Sequence, residues 1–215
     1  MTHQTIAEPK ADCSLCPRLT SFRHENQKLH PHMFNGAVPS FGDQTASLLI
    51  VGLAPGLKGA NQTGRPFTGD YAGDLLYATL LKFGFATGKY LASPDDGLKL
   101  KKAMITNAVR CVPPQNKPIG EEIKTCRNFL KNRIDQLPKL KLMIVLGRIA
   151  HESVVATLGG KQKDFKFSHG GLHDLPTGHK MLDSYHCSRY NTNTGRLTTE
   201  MFEDVFDTAR DLLSK

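Results

Sequence analysis

The chain has 215 residues, 39% of them hydrophobic, and 28 lysines and arginines against 20 acids leave a net charge of +8 and a pI near 9.3. That length carries one sizeable core, the longest apolar runs are too short to span a bilayer, and the first ten residues lack the apolar stretch of a secretory signal. A basic, cytoplasmic, single-domain monomer with no membrane partner is expected, its residues 1–10 a flexible tail and its excess charge suited to a polyanion such as nucleic acid.

Ser47 to Gly52 is a continuous apolar run that ends at glycine and proline, as a strand buried on both faces does. After a glycine-rich loop, Asp70 opens a helical pattern with Leu75, Leu76, Leu80 and Leu81, stopping near Gly84. Ala103 to Val109 is a second strand, followed by Ile119, Ile123, Cys126, Leu130, Ile134 and Leu137 at helical spacing. Leu140 to Leu146 is a third strand, with a helix after Gly147. Residues 159–180 show little periodicity and are expected to form one long loop. Lys180 to Tyr185 is a fourth, weaker strand, and Thr198 caps a last helix whose buried stripe is Phe202, Val205, Phe206, Ala209 and Leu212.

Alternation of this kind predicts an α/β domain: a central, mostly parallel four-stranded sheet with helices on both faces. Ligands in such sheets bind beyond the carboxyl ends of the strands. The segments Gly52 to Gly56, Asn107 to Cys111 and His186 to Asn191 are therefore expected to gather there.

Five cysteines are too odd a count for a disulfide framework in a reducing compartment. Cys13 and Cys16 form a Cys-x2-Cys pair, Cys111 ends the second strand and Cys126 lies on the next helix. Four thiolates without a histidine suit either a structural zinc or an iron-sulfur cluster, and spacing does not separate the two.

Several segments, in order, resemble the uracil-DNA glycosylase superfamily and, among its branches, the fifth or B-type family. They are Cys13-Ser14-Leu15-Cys16, Gly52-Leu53-Ala54-Pro55-Gly56, Gly64-Arg65-Pro66-Phe67-Thr68-Gly69-Asp70, Thr106-Asn107-Ala108-Val109-Arg110-Cys111, and Tyr185-His186 through Leu197-Thr198. The resemblance implies a four-iron, four-sulfur cluster held by Cys13, Cys16, Cys111 and Cys126. It also implies hydrolysis of the N-glycosidic bond of uracil in DNA, with hypoxanthine and xanthine as further deaminated bases, and no strand cleavage.

An enzyme of this kind extrudes its target nucleotide into a pocket. By resemblance, Gly52 and Ala54 line that pocket, Phe67 stacks on the base, and Asn107 reads it through a carboxamide that offers both a donor and an acceptor. His186 faces the charge that develops on the departing base, and Ser188, Arg189 and Asn191 face DNA phosphates. Ala54 stands where other branches carry a polar residue and cannot activate water, so Asp70 is expected to orient the water and stabilise the sugar cation. Residue by residue, plainer roles compete: Asp70 as a helix cap, Asn107 as a turn-closing side chain, Phe67 and Cys126 as core. Cys187 departs from the family, which usually has proline there. The competing reading of the whole chain is a non-catalytic nucleic-acid-binding protein with a structural four-cysteine metal site, and excision of uracil from an oligonucleotide separates the two.

Overall fold

The computed structural model describes residues 8–214. In chain order the elements are α1 (Pro17–Leu29), β1 (Phe41–Gly42), β2 (Leu48–Gly52), α2 (Ala60–Thr63), α3 (Tyr71–Lys82), β3 (Ala86–Thr87), β4 (Lys99–Leu100), β5 (Ala103–Asn107), α4 (Gly120–Asp135), β6 (Leu142–Leu146), α5 (Arg148–Thr157), β7 (Leu172–Asp174), β8 (Lys180–Ser184), α6 (Arg189–Asn193) and α7 (Thr199–Ser214). The expected tail lies outside the described residues for residues 1–7. At residue 8 the chain is already fixed, because Glu8 pairs with Arg110 and Arg133.

The sheet order is β1-β5-β2-β6-β8-β7. Its centre, β5-β2-β6-β8, is the expected parallel four-stranded sheet. Two short antiparallel edges, β1 and β7, extend it to six strands. At two and three residues these edges carry no readable alternation. One of them, β7, falls inside residues 159–180, which are therefore not one loop. Among the described residues, no helix is long and apolar enough to cross a membrane.

Every residue of β2, β5 and β6 is buried, because helices cover both faces. Leu48, Ile50, Ile105, Ile144 and Leu182 point to one side, where they meet Leu76 and Leu80 of α3 and Phe202, Val205, Phe206 and Ala209 of α7. Leu49, Val51, Met104, Met143, Val145 and Met181 point to the other, against Leu130 and Ile134 of α4 and Ala150, Val154 and Val155 of α5. Alternate residues of one strand thus supply two separate cores. Each fully buried Leu or Ile contributes about 1.5–3 kcal/mol.

Residues 158–171 are held to the sheet by a buried polar group. Asp183 of β8 accepts from His151 Nδ1 of α5 at 2.7 Å, from His173 Nε2 of β7 at 2.9 Å and from the Ser168 N–H at 3.1 Å. The second nitrogen of His151 faces the carbonyl oxygen of Phe165 at 2.9 Å. Both partners of His151 are acceptors, so both ring nitrogens must carry protons and the ring is an imidazolium. Burial opposes this charge, but the hydrogen bond and charge of Asp183 outweigh it and the net shift is upward. The stabilisation is therefore complete below the unfolded value near 6.5 and is lost as pH rises through the folded one. Urea unfolding is expected to show stability falling by about 1–3 kcal/mol across that window, and the decline should be missing from His151→Gln.

Candidate active site and cysteine centre

The parallel register aligns the strand ends. Gly52 stands beside Asn107, and β6 and β8 finish together at Leu146 and Ser184. Gly52 has to be glycine at this point: a Cβ there would lie 2.4 Å from Asn107 Oδ1 and 2.6 Å from the Phe67 ring. The missing side chain is what lets a carboxamide and an aromatic ring meet at the end of the sheet.

Phe67 adopts φ +52, a left-handed conformation costly for an aromatic residue. Its surroundings impose it. Tyr77 Oη donates to the Pro66 carbonyl at 2.7 Å, and Tyr90 Oη donates to the Phe67 carbonyl at 3.3 Å. Arg65 donates from Nε to Thr68 Oγ1 at 2.7 Å and forms a two-pronged pair with Asp96. Its guanidinium lies 5.1–5.8 Å from the ring centres of Phe41, Tyr77 and Tyr90. That hydrogen-bonded pairing holds the Asp96 carboxyl well below the usual range.

Asp70 is the N-cap of α3, where its side chain accepts from the Gly73 N–H at 3.1 Å. The same carboxylate fills the space that a Cβ at Gly59 would occupy, 2.2 Å from Oδ2. Burial raises its pKa, with the Gly73 N–H opposing and Asp74 adding to the rise.

His186 follows β8, its ring stacked at 27° to Phe67 with centroids 5.9 Å apart. Burial lowers its pKa to about 4, so the imidazole is neutral at neutral pH. Ser188 caps α6, and Asn191 Nδ2 donates to the His186 carbonyl at 2.8 Å, so both shape the loop that carries the histidine. Arg189 lies over the Tyr71 ring at 5.4 Å. Cys187 is buried under α3, its thiol 3.4 Å from the Ala72 carbonyl.

A cavity of about 570 Å³ joins these residues. Ala54, Phe67, Asp70, Asn107, His186, Ser188 and Arg189 all line it, together with Lys58, Tyr71 and Asn116, which no sequence motif singled out; Gly52 sits behind Phe67 and Asn107 and is not part of the lining. Asn191 lies outside, on a neighbouring hollow beyond His186. On the cavity wall, Asn107 Oδ1 is buried without a hydrogen-bond partner. An orphan acceptor of this sort costs about 1–3 kcal/mol unless a ligand supplies the donor.

The four predicted cysteines converge as well. Cys13 and Cys16, just before α1, share a hollow with Cys111 and with Cys126 of α4. Burial pushes the Cys111 and Cys126 thiols up to about 12 and about 11, so thiolates there require a cation. Among the described residues, only His151, His173 and Asp183 bring three candidate ligand atoms within 4.8 Å of one another. An all-sulfur donor set lining one buried hollow fits a thiolate-ligated metal group, a multi-iron cluster among them.

Comparison with known proteins agrees with this geometry. A family model described as "Uracil DNA glycosylase superfamily" matches residues 39–210. The chain is 42% identical over 218 residues to a type-5 uracil-DNA glycosylase of Thermus thermophilus, covering 99% of both chains. It is 36% identical to a type-5 enzyme of Pyrobaculum aerophilum, covering 90% of this chain and 86% of that one. A type-4 uracil-DNA glycosylase of Pyrobaculum aerophilum is 32% identical over 74% of this chain and 67% of its own.

Proposed function

The chain belongs to the uracil-DNA glycosylase superfamily and, within it, to the type-5 family; from that membership we propose how its cavity performs the reaction. It is a uracil-DNA glycosylase of DNA repair, a hydrolase of N-glycosyl bonds. The single observation that carries the reading of the site is the unpartnered Asn107 oxygen beside Phe67, His186 and Asp70.

Deamination replaces an amino group and a bare ring nitrogen by a carbonyl and an adjacent N–H. Uracil shows that pair as O4 and N3–H and hypoxanthine as O6 and N1–H; xanthine carries the same O6 and N1–H edge, which it keeps from guanine. Asn107 Oδ1 accepts the N–H while Nδ2 donates to the carbonyl, so one carboxamide tells uracil from cytosine and hypoxanthine from adenine. Cytosine and adenine present the reverse pattern and leave buried groups unpaired. Ala54 leaves the wall small, and the cavity admits a purine as well as a pyrimidine.

Phe67 supplies the stacking face for the extruded base. As the C1′–N1 bond breaks, its electron pair moves onto the base, and the neutral His186 donates a hydrogen bond to O2 where that charge collects. Asp70, kept as an anion, faces the cationic sugar and orients the water that adds to C1′, taking up its proton. Base and abasic sugar leave; the strand stays intact. Arg189 and Lys58 at the rim, with Ser188, contact phosphates, and Asn191 braces the loop.

Cys13, Cys16, Cys111 and Cys126 hold a four-iron, four-sulfur cluster that ties α1 to α4 beside the sheet. When bound, it supplies structural cross-linking. A DNA substrate supports the expected cytoplasmic location.

Two measurements test this. Labelled oligonucleotides containing uracil, hypoxanthine or xanthine should give alkali-labile sites with no cleavage before alkali. A covalent Lys58 adduct trapped by borohydride would overturn the hydrolytic route. The purified protein should be brown and carry about four iron and four sulfide per chain; a colourless zinc protein would remove the cluster from the reading.

A further inference from the structure

Arg110 is the largest fully buried side chain, 1% exposed. Its Nη1 donates to Glu8 Oε2 at 2.6 Å and to the Val38 carbonyl at 3.3 Å, while Nε and Nη2 are buried without a partner. Two orphan donors on a buried cation are costly, and the cost is large enough to need a cause. Arg110 also borders the cysteine hollow, and its backbone N–H points at Cys126 Sγ at 3.4 Å.

Arg23, on the other side of the hollow, is a buried cation with no carboxylate partner. It is 3% exposed and bonds only to uncharged groups: the carbonyls of Cys13 and Asp12, and Cys111 Sγ at 4.0 Å. Glu8 is shared between Arg110 and Arg133, so that trio keeps one net positive charge and Arg23 adds a second. Nearby, Arg18 and Glu122 cancel; Glu121 is exposed.

The geometry points to Arg110 and Arg23 as counter-cations that balance a doubly negative thiolate-ligated group in the cysteine hollow and raise its reduction potential. This rests on the cluster reading above. Four thiolates around a core of charge +2 leave −2, which matches the two positive charges on the protein side. Adding one electron makes the group more negative, so cations at this distance favour the reduced form and acids oppose it. No other described feature explains why Arg110 is buried with idle donors and Arg23 without a counter-charge.

Film voltammetry of the full chain tests the proposal through opposite signs. Arg110→Gln should lower the potential by at least 59 mV, a tenfold change in the reduced-to-oxidised ratio for one electron, and Arg110→Lys should restore most of it. Glu8→Gln removes a negative charge and should move the potential upward, which damage to the fold would not do. If Arg110→Gln fails to fold, Arg23→Gln and Glu8→Gln carry the test, and iron loss to a chelator should be faster in the first and no faster than wild type in the second. A wild-type protein that holds iron and sulfide while its variants keep an unchanged potential and iron-release rate overturns the counter-charge role alone. Wild type without iron overturns the cluster reading, and this inference with it.

Discussion

Asp70→Asn is expected to lower single-turnover excision of uracil by about 10²–10³-fold while leaving the protein at least as stable as the parent. The two effects separate because the proposed mechanism adds a second duty to the cap that Asp70 forms. As the cap of α3 it needs only an acceptor for the Gly73 N–H, and asparagine caps as well as aspartate does. Facing the sugar it needs a negative charge, which asparagine lacks. Burial already disfavours that charge, so removing it relieves the folded state. The raised pKa also fixes the shape of the pH profile: activity falls as acid protonates Asp70, above the ordinary carboxylate range, and His186 gains its proton near about 4. Rapid-quench rates with thermal unfolding on the same samples decide the matter. A variant that cuts at the parental rate would leave Asp70 as a cap alone.

Asn107→Ala should cost about 100-fold or more in excision of uracil, and by a similar factor for hypoxanthine. The reasoning starts from the orphan oxygen. In the free protein Oδ1 goes without a partner, so the truncation removes a burden from the empty pocket and a specific contact from the occupied one. Stability should therefore hold or rise while discrimination collapses. Binding to DNA with an abasic site, which has no base to read, should change little, because phosphate contacts by Arg189 and Lys58 remain. Gel-shift affinity for abasic DNA beside excision rates for each base separates the two effects. Equal losses in both assays would mean that Asn107 merely shapes the loop.

What could be read before any coordinates follows from periodicity. The four central strands and the helices α3, α4, α5 and α7 each bury a face, and burial writes a pattern into the sequence. Helix α1 was not anticipated because its inward side is mixed: Leu19 is joined by Arg23 and Asn26, residues that an apolar template ignores. The edge strands β1 and β7 are too short to show alternation. At the site, the ordered segments around Gly52, Phe67, Asn107 and His186 named residues that line one cavity. Their supports were invisible. Arg65 meets Asp96 across 31 positions, and Glu8 reaches Arg133 across 125, with nothing local to announce either partnership. The His151–Asp183–His173 group was silent for the same reason.

The distribution of the four sulfurs along the chain sets an order of events during synthesis. Cys13 and Cys16 leave the ribosome early, but their partners follow only at Cys111 and Cys126. Helix α1, whose Leu19 packs with Val109, Cys111 and Cys126, therefore waits without a docking surface until the segment that carries those three residues has emerged. Helix α1 is thus among the last elements to be secured, and until Cys111 and Cys126 have been made it stays open to proteases.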